Sequence, residues 1–253
     1  MNRIIEDILN GHGSEINAGI KRPYRLVETV YETPTVKRMR FKSDIGEKLT
    51  FKPGQFVEIG YSSDGSKIDV QRPYSIGSAP GSDTMEFYIG MVGGKLTSIL
   101  EKAKAGDIYN ISMPLGKNFE YVPGYNKKSL FLAAATGIAP FMSMLKYIEK
   151  NGIDEDIVLI YSVKTDKDVI CARELKRFDL NGVAKVVVTL TRQEWEGEKG
   201  RINEDKIKRY APDIKDRTVY LCGSSQFNVS MTELLTSMGV PADRGHIKHD
   251  VWG

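Results

Sequence analysis

Apolar residues follow two different spacings along the chain. Over residues 22–122 they tend to alternate with polar residues, most clearly at Met85, Phe87, Ile89 and Met91. Alternation with a period of two is typical of strands that have one buried face. Proline-glycine and aspartate-glycine pairs separate the short runs, so this half predicts an antiparallel barrel or sandwich.

The second half of the chain instead contains continuous apolar runs with helical patterns between and after them. The runs cover residues 130–135, 157–161, 186–190 and 219–222. One helix face is marked by Ile138, Phe141, Met142, Leu145 and Ile148. Buried strands that alternate with amphipathic helices predict a doubly wound parallel sheet.

These patterns divide the chain into two domains and an N-terminal extension. The extension covers residues 1–21, the first domain residues 22–122 and the second domain residues 123–253, with the linker VPGYNKKS at 122–129. One short helix is predicted inside the first domain, over residues 96–102, after a pair of glycines. The role of the extension stays open: its apolar residues could form a short helix packed on the barrel or on a second chain, so a homodimer also stays open.

Composition and charge narrow the possible partners. Of 253 residues, 41% are hydrophobic and 27% are charged, which is typical of a globular protein. The 36 basic and 33 acidic residues give a net charge of +3, so no broad nucleic-acid-binding face is predicted. The first twenty residues lack the secretory pattern, and no run of roughly 18 apolar residues could cross a membrane. The prediction is a cytoplasmic protein.

Cysteine and histidine usage argues against metal chemistry. Cys171 and Cys222 are the only cysteines, too few for a disulfide framework or a four-thiolate iron–sulfur cluster. His246 and His249 lack acidic or cysteine neighbours at metal-ligand spacing, so no metal site is predicted. Any electron carrier is therefore expected to be an organic cofactor or another protein.

A glycine-containing turn follows the first apolar run of the second half. The run ends at Ala135, and Thr136-Gly137-Ile138-Ala139-Pro140 leads into a helical pattern. Small residues let the backbone approach a pyrophosphate, and free N–H groups at a helix start point towards it. Pro140 suits the first helical turn, where no donor is needed. The same sequence also forms a tight turn without a ligand.

The segment QRPYSIGSAP contains a proline where a strand is expected, at Pro73. Arg72 could bind a phosphate through its two-pronged guanidinium, Tyr74 could stack on a flat ring, and Ser75 could hydrogen-bond a ring nitrogen. About twenty residues later, the glycine-rich stretch 93–97 offers a second helix start for a pyrophosphate. Each of these residues also has a purely structural explanation: Tyr74 could be a core residue, Arg72 a solvated strand residue and the glycines part of a hairpin. Their combination nevertheless favours a cofactor site.

With these motifs in this order, the chain resembles the ferredoxin-NADP reductase superfamily from about Pro23 to its C-terminus. The matching signatures are RPYS at 72–75, GGKLT at 93–97, ATGIAP at 135–140 and LCG at 221–223. The resemblance implies an antiparallel six-stranded flavin-binding β-barrel followed by a doubly wound parallel-sheet NAD(P)-binding domain. It also implies FAD and NADP(H) as cofactors, with hydride transfer at flavin N5.

The resemblance further implies a role for each matching residue. Arg72 would contact the flavin pyrophosphate, while Tyr74 covers the isoalloxazine, Ser75 lies near N5 and Cys222 lies near the nicotinamide; Tyr74, Ser75 and Cys222 are the implied catalytic residues. The other implied flavin contacts are Pro73, Gly93, Gly94, Lys95, Leu96, Thr97, Ser98 and Trp252. The other implied nucleotide contacts are Thr136, Gly137, Ile138, Pro140, Lys164, Arg192, Arg201 and Gly223.

Two of these assignments have alternatives. Trp252 could cover the flavin, as terminal aromatics of the family do, or could simply anchor the last strand. Lys164, Arg192 and Arg201 favour NADP(H), because basic side chains suit a 2′-phosphate. An arginine is more usual where Lys164 stands, and Arg201 recurs in NAD-using relatives, so the selectivity for NADP(H) is expected to be soft.

The function that the resemblance implies is that of a ferredoxin-NADP⁺ reductase-type flavoenzyme. A separate acidic ferredoxin or flavodoxin would be the one-electron partner, with Lys37, Arg38, Arg40, Lys127 and Lys128 as candidate docking charges. A reductase component of an oxygenase or a flavin reductase would use the same cofactors with another acceptor. A flavin-binding electron-transfer subunit of a larger complex is the second alternative.

Overall fold

The computed structural model describes residues 21–46, 50–125 and 127–251. Nearly all of the N-terminal extension lies outside this range. So does Trp252, and the prediction that it covers the flavin therefore stays a prediction. No helix in the described part of the chain is long and apolar enough to cross a membrane.

The first half forms a six-stranded antiparallel sheet. Its elements are β1 (Arg22–Thr33), β2 (Val36–Ser43), β3 (Phe56–Tyr61), β4 (Val70–Ser75), β5 (Met85–Gly90), α1 (Lys95–Glu101) and β6 (Ile108–Ile111). The strand order is β4-β3-β6-β1-β2-β5. Near the ends of the two outer strands, the Gly77 amide donates to the Glu86 carbonyl at 2.7 Å, which links these edges. Edge-to-face contacts of Phe41 with Phe87 and Tyr109 fill the interior.

The second half forms a six-stranded parallel sheet. Its elements are β7 (Lys128–Ala134), α2 (Ala139–Asn151), β8 (Asp156–Val163), α3 (Ala172–Leu180), β9 (Lys185–Leu190), β10 (Glu198–Lys199), α4 (Glu204–Tyr210), β11 (Thr218–Gly223), α5 (Ser225–Ser237) and β12 (Ile247–Val251). The strand order is β10-β9-β8-β7-β11-β12. Apolar clusters lie on both faces, which explains the continuous apolar runs of these strands. The predicted fold class is confirmed.

The two halves share a packed interface. Val36 and Tyr88 of the barrel belong to the same buried cluster as Phe141 of α2 and Phe131 of β7. A polar contact supports this packing, because the Ser143 hydroxyl of α2 donates to the Ser78 carbonyl at 2.7 Å. The interface therefore holds the start of α2 beside strands β4 and β5.

Candidate active site

A pocket of about 340 Å³ opens where β4 and β5 meet the turn that precedes α2. Strand β4 lines it with Arg72, Pro73, Tyr74 and Ser75, and the start of α1 lines it with Gly94, Lys95, Leu96 and Thr97. Thr136 contributes from the second half. The structure thus brings together most of the predicted flavin residues and one predicted nucleotide residue in a single cavity.

Strand β4 can carry a proline because it lies at the edge of its sheet. Pro73 stands opposite Glu58 of β3, and an edge strand can lack a donor on its outer side without losing a ladder bond. Arg72 is exposed. Tyr74 is half-buried and packs against the barrel core, and burial raises the pKa of its hydroxyl to about 12. Tyr74 therefore offers a neutral ring face to the pocket.

Helix α1 begins at the pocket without a side-chain cap on its first amides. Its N-cap residue is Gly94, and the Thr97 hydroxyl donates to the Gly94 carbonyl at 3.1 Å. A Cβ atom at Gly94 would meet only the Thr97 hydroxyl, at 3.5 Å. The protein's own packing therefore does not require this glycine, and an approaching phosphate would explain it.

Gly94→Ala is expected to weaken FAD binding about tenfold, because the added methyl group would stand where a phosphate approaches the helix start. Its effect on the unfolding of the apo-protein should stay below about 1 kcal/mol, the cost of a poorer N-cap. Flavin fluorescence titration measures the first quantity and denaturant unfolding the second. Unchanged FAD affinity would show that α1 does not hold the phosphates.

A buried carboxylate joins the two predicted catalytic residues that come from different halves of the chain. The Ser75 hydroxyl donates to Asp250 Oδ2 at 3.1 Å, and Cys222 Sγ lies 4.0 Å from the same oxygen. Asp250 is 1% exposed and stands opposite Cys222 in the pairing of β11 with β12. Ser75, Cys222 and Asp250 therefore form one polar cluster where the barrel meets the parallel sheet.

Asn228 of α5 connects this cluster to the end of β11. Its Nδ2 donates to the carbonyls of Gly223, Ser224 and Asp250 at 3.0, 3.1 and 3.3 Å. Sequence reasoning missed both Asp250 and Asn228. The only signal for Asp250 in the sequence was its place as the one acidic residue of the last strand, and a carboxylate is rarely fully buried unless it is paired.

The turn before α2 is tightly packed against β11. A Cβ atom at Gly137 would lie 2.2 Å from the Cys222 carbonyl oxygen, so this glycine already serves the protein's own packing. Ala135 has a φ of 49°, a region that favours glycine, and its carbonyl accepts from the Tyr161 hydroxyl at 3.0 Å. Ile138 and Pro140 are buried and do not line the pocket. A nucleotide at this turn would meet mainly backbone.

The three predicted 2′-phosphate residues lie at the carboxyl edge of the parallel sheet. The Arg192 amide donates to the Lys164 carbonyl at 2.9 Å, which brings the ends of β8 and β9 together. Arg201 follows β10, the neighbour of β9. All three side chains are exposed, and none forms an ion pair with another residue that the structure describes. Gly223, the last residue of β11, packs against Phe227.

No group of three potential metal ligands occurs in the described ranges. His246 Nδ1 contacts both carboxylate oxygens of Asp243 at 2.9 Å, so this histidine does have an acidic neighbour, contrary to expectation. The contact belongs to a loop on the surface, where His246 and Asp243 are about half exposed.

Comparison with known protein families identifies two domains. Residues 23–121 match the family model described as the oxidoreductase FAD-binding domain. Residues 131–232 match the one described as the oxidoreductase NAD-binding domain. The expected cofactors, FAD and a nicotinamide nucleotide, are thereby confirmed at the level of the two domains, and the residues that line the pocket fit a flavin.

Named relatives cover most of the chain. The flavodoxin/ferredoxin-NADP reductase of Rhodobacter capsulatus is 31% identical over 216 residues, which are 77% of this chain and 78% of that protein. The glycine betaine monooxygenase reductase subunit of Pseudomonas aeruginosa is 29% identical over 231 residues, which are 88% of this chain and 62% of the relative. The chain therefore spans less than two thirds of the second relative's length.

A solved structure supports the fold. The ferredoxin NADP⁺ reductase from Neisseria gonorrhoeae, solved with bound FAD and NADP, superimposes with a TM-score of 0.77 at 21% identity. The match covers 91% of this chain and 98% of that one. The antiparallel sheet and the parallel sheet therefore follow one another in the same way in both proteins.

Proposed function

Because the chain belongs to the ferredoxin-NADP reductase superfamily, an oxidoreductase family, we propose that it transfers electrons between NADP(H) and a separate one-electron carrier, a ferredoxin or a flavodoxin. The contact of Ser75 and Cys222 with one carboxylate of Asp250 carries this proposal. It joins the residue expected at the flavin to the residue expected at the nicotinamide. When bound, FAD supplies hydride exchange with the nicotinamide and passes electrons on singly.

The side chains around the pocket have distinct tasks in this proposal. Arg72 and the amides at the start of α1 bind the phosphates of the flavin. Tyr74 presents its neutral ring for stacking. Ser75 is held by Asp250 at a fixed orientation, which positions its hydroxyl at the reacting edge of the pocket. Cys222, at the end of β11, lies 4.0 Å from the same carboxylate and is the residue proposed to lie beside the nicotinamide.

Purification and spectroscopy test the proposal. A yellow protein that NADPH bleaches supports it, and a colourless protein that does not take up FAD contradicts it. Steady-state rates with ferredoxin, flavodoxin and free flavin then separate the acceptors. Rates at least tenfold higher with ferredoxin or flavodoxin than with free flavin are expected, and a preference for free flavin would favour a flavin reductase.

A reductase component of an oxygenase is the second candidate. The name of the Pseudomonas aeruginosa relative, which matches 88% of this chain, supports it. The two candidates share cofactors and hydride chemistry and differ only in the protein that receives the electrons. An oxygenase component or its ferredoxin, added to the same assay, distinguishes them.

Most of the basic residues that were predicted to dock an acidic carrier instead form contacts within the fold. Lys37 is 6% exposed and donates to the Glu101 carbonyl at the end of α1. Arg38 and Arg40 pair with Glu28 at 2.9 Å. Lys128 pairs with Asp213 at 2.7 Å, while Lys127 is exposed. Of these five, Lys127 is the candidate docking charge that remains.

The nucleotide preference can be tested at the edge of the parallel sheet. Arg192→Ala is expected to lower kcat/KM for NADPH about tenfold and to leave the value for NADH unchanged, because a charge-assisted hydrogen bond to the 2′-phosphate is worth about 1.5–3 kcal/mol. Lys185→Ala is the matched control, since Lys185 is an exposed cation at the opposite end of β9. Equal losses with both nucleotides would contradict a 2′-phosphate contact.

A further inference from the structure

A buried polar network joins strand β5 of the barrel to helix α2 of the parallel-sheet domain. At its centre is Glu86, which is 3% exposed. Glu86 Oε1 accepts from the Lys146 ammonium and from the Tyr88 hydroxyl, each at 2.5 Å. Glu86 Oε2 accepts from Arg40 Nε at 2.7 Å. Lys146 is the cation that comes from the other domain, and it also lies 3.4 Å from Glu174 of α3.

In this network Glu86 acts as a charged acceptor and Tyr88 as a neutral donor. Burial opposes ionisation of Glu86, but Lys146 and the hydrogen bonds from Lys146, Tyr88 and Arg40 hold the pKa of this carboxyl below its usual range. Burial raises the pKa of Tyr88 well above its usual range, so its hydroxyl remains a donor. Lys146 also donates to the Tyr88 oxygen at 3.1 Å and lies 5.6 Å from the centre of the Tyr88 ring. Three donors thus converge on one charged carboxylate.

The network lies directly behind the candidate active site. Tyr88 lines the pocket together with Ser75 and Thr136. Helix α2 carries Lys146 and follows the turn that contains Gly137. One turn before Lys146, the Ser143 hydroxyl donates to the Ser78 carbonyl of the barrel at 2.7 Å. The helix is therefore fixed to the barrel at two successive positions on one face.

Stability alone does not account for these groups. A buried ion pair contributes little net stability compared with apolar residues of the same volume, because removing both charges from water is costly. What it adds is direction, since hydrogen bonds to a carboxylate fix angles that apolar packing leaves free. A misplacement of about 1 Å between reacting groups can cost about 100-fold in rate. Directional contacts at this interface would therefore matter most for the distance between the two cofactor sites.

We infer that Lys146 is a positioning residue for hydride transfer: it holds α2 and Tyr88 in place through Glu86, and so sets the distance between the nicotinamide site and the flavin site. This inference rests on the proposed function. Lys146 itself does not line the pocket, but it donates to Tyr88, which does. We therefore expect its largest effect on the step that needs both domains, which is hydride transfer.

The test compares two reductants of the same flavoprotein. Lys146→Met is expected to slow flavin reduction by NADPH at least tenfold while reduction by dithionite, which needs no nucleotide site, keeps the wild-type rate. Lys146→Gln, which retains a neutral donor for Glu86, should recover part of the loss and covers the case in which the methionine variant does not fold. Lys150→Met is the matched control, because Lys150 is exposed one turn later on the same helix.

Amide hydrogen exchange gives a readout independent of turnover. Protection of residues 77–80 and 139–147 is expected to fall in Lys146→Met and to stay unchanged in Lys150→Met. A Lys146→Met protein that NADPH reduces at the wild-type rate overturns the inference. So does a Lys146→Met protein whose reduction by dithionite slows by the same factor as its reduction by NADPH. A wild-type protein that no nicotinamide nucleotide reduces contradicts the proposed function itself, which separates the two failures.

Discussion

Ser75→Ala is expected to slow reduction of the bound flavin by NADPH about 100-fold and to leave FAD bound. The Ser75 hydroxyl donates to buried Asp250, whose carboxylate also lies beside Cys222, so this hydroxyl links the two domains beside the proposed flavin pocket. A misplacement of about 1 Å between reacting groups can cost about 100-fold in rate. Stopped-flow absorbance at the flavin band measures the reduction, and flavin release after denaturation measures FAD content.

Ser112→Ala is the matched control. Ser112 is also buried, at 1% exposed against 6% for Ser75, and its hydroxyl donates to the Met113 carbonyl at 2.8 Å and accepts from the Glu58 amide at 2.9 Å. Its loss should reduce stability by about 1 kcal/mol with a wild-type reduction rate. If Ser75→Ala reduces as fast as the control, or loses its FAD, the assigned role of Ser75 is wrong.

The architecture could be predicted from the sequence because each half has its own characteristic pattern of apolar residues. Alternation at Met85, Phe87 and Ile89 reflects a strand of a barrel with a filled interior, and the continuous run 130–135 reflects a strand covered on both faces. The predicted helix at 96–102 is one residue from the observed Lys95–Glu101. These features depend on neighbours in sequence, which a local pattern records.

The partners of the site residues could not be read in this way. Asp250 meets Ser75 across 175 positions, and Lys146 meets Glu86 across 60. No local pattern records such contacts, because they depend on how the two domains pack. The same limit explains why the basic residues of β2 were predicted as docking charges. Their ion pairs with Glu28 and Glu86 depend on the fold and are not visible in the sequence. Sequence identifies which residues carry chemistry but not which of them are already engaged.

Gly137 shows how one residue can satisfy two explanations. From sequence it indicated room for a nucleotide, whereas in the structure its missing Cβ makes room for β11, with the Cys222 carbonyl oxygen 2.2 Å from where that atom would stand. Glycine is required here even without a ligand. A displacement of this turn is therefore expected to displace the strand that carries Cys222.

Gly137→Ala is accordingly expected to destabilise the apo-protein by about 3 kcal/mol and to lower the rate of flavin reduction by NADPH about 100-fold or more. The added methyl group would also approach the Gly223 amide nitrogen to 2.9 Å, so the backbone of β11 must move rather than a flexible side chain. Displacement of Cys222 then separates it from Asp250 and Ser75, and misplaced reacting groups lose rate steeply. Denaturant unfolding of the apo-protein and stopped-flow reduction measure the two effects.

Gly94→Ala supplies the control, because it adds the same methyl group on the barrel side of the pocket, where the nearest atom stands at 3.5 Å. Comparing apo-proteins removes the contribution of bound FAD, which would otherwise raise the apparent stability of whichever variant binds it better. The two variants should separate cleanly: Gly137→Ala unfolds at lower denaturant and reduces slowly, and Gly94→Ala mainly binds FAD less tightly. If Gly137→Ala keeps both the wild-type stability and the wild-type rate of flavin reduction, then β11 can shift without cost. In that case the close packing of this turn does not position Cys222.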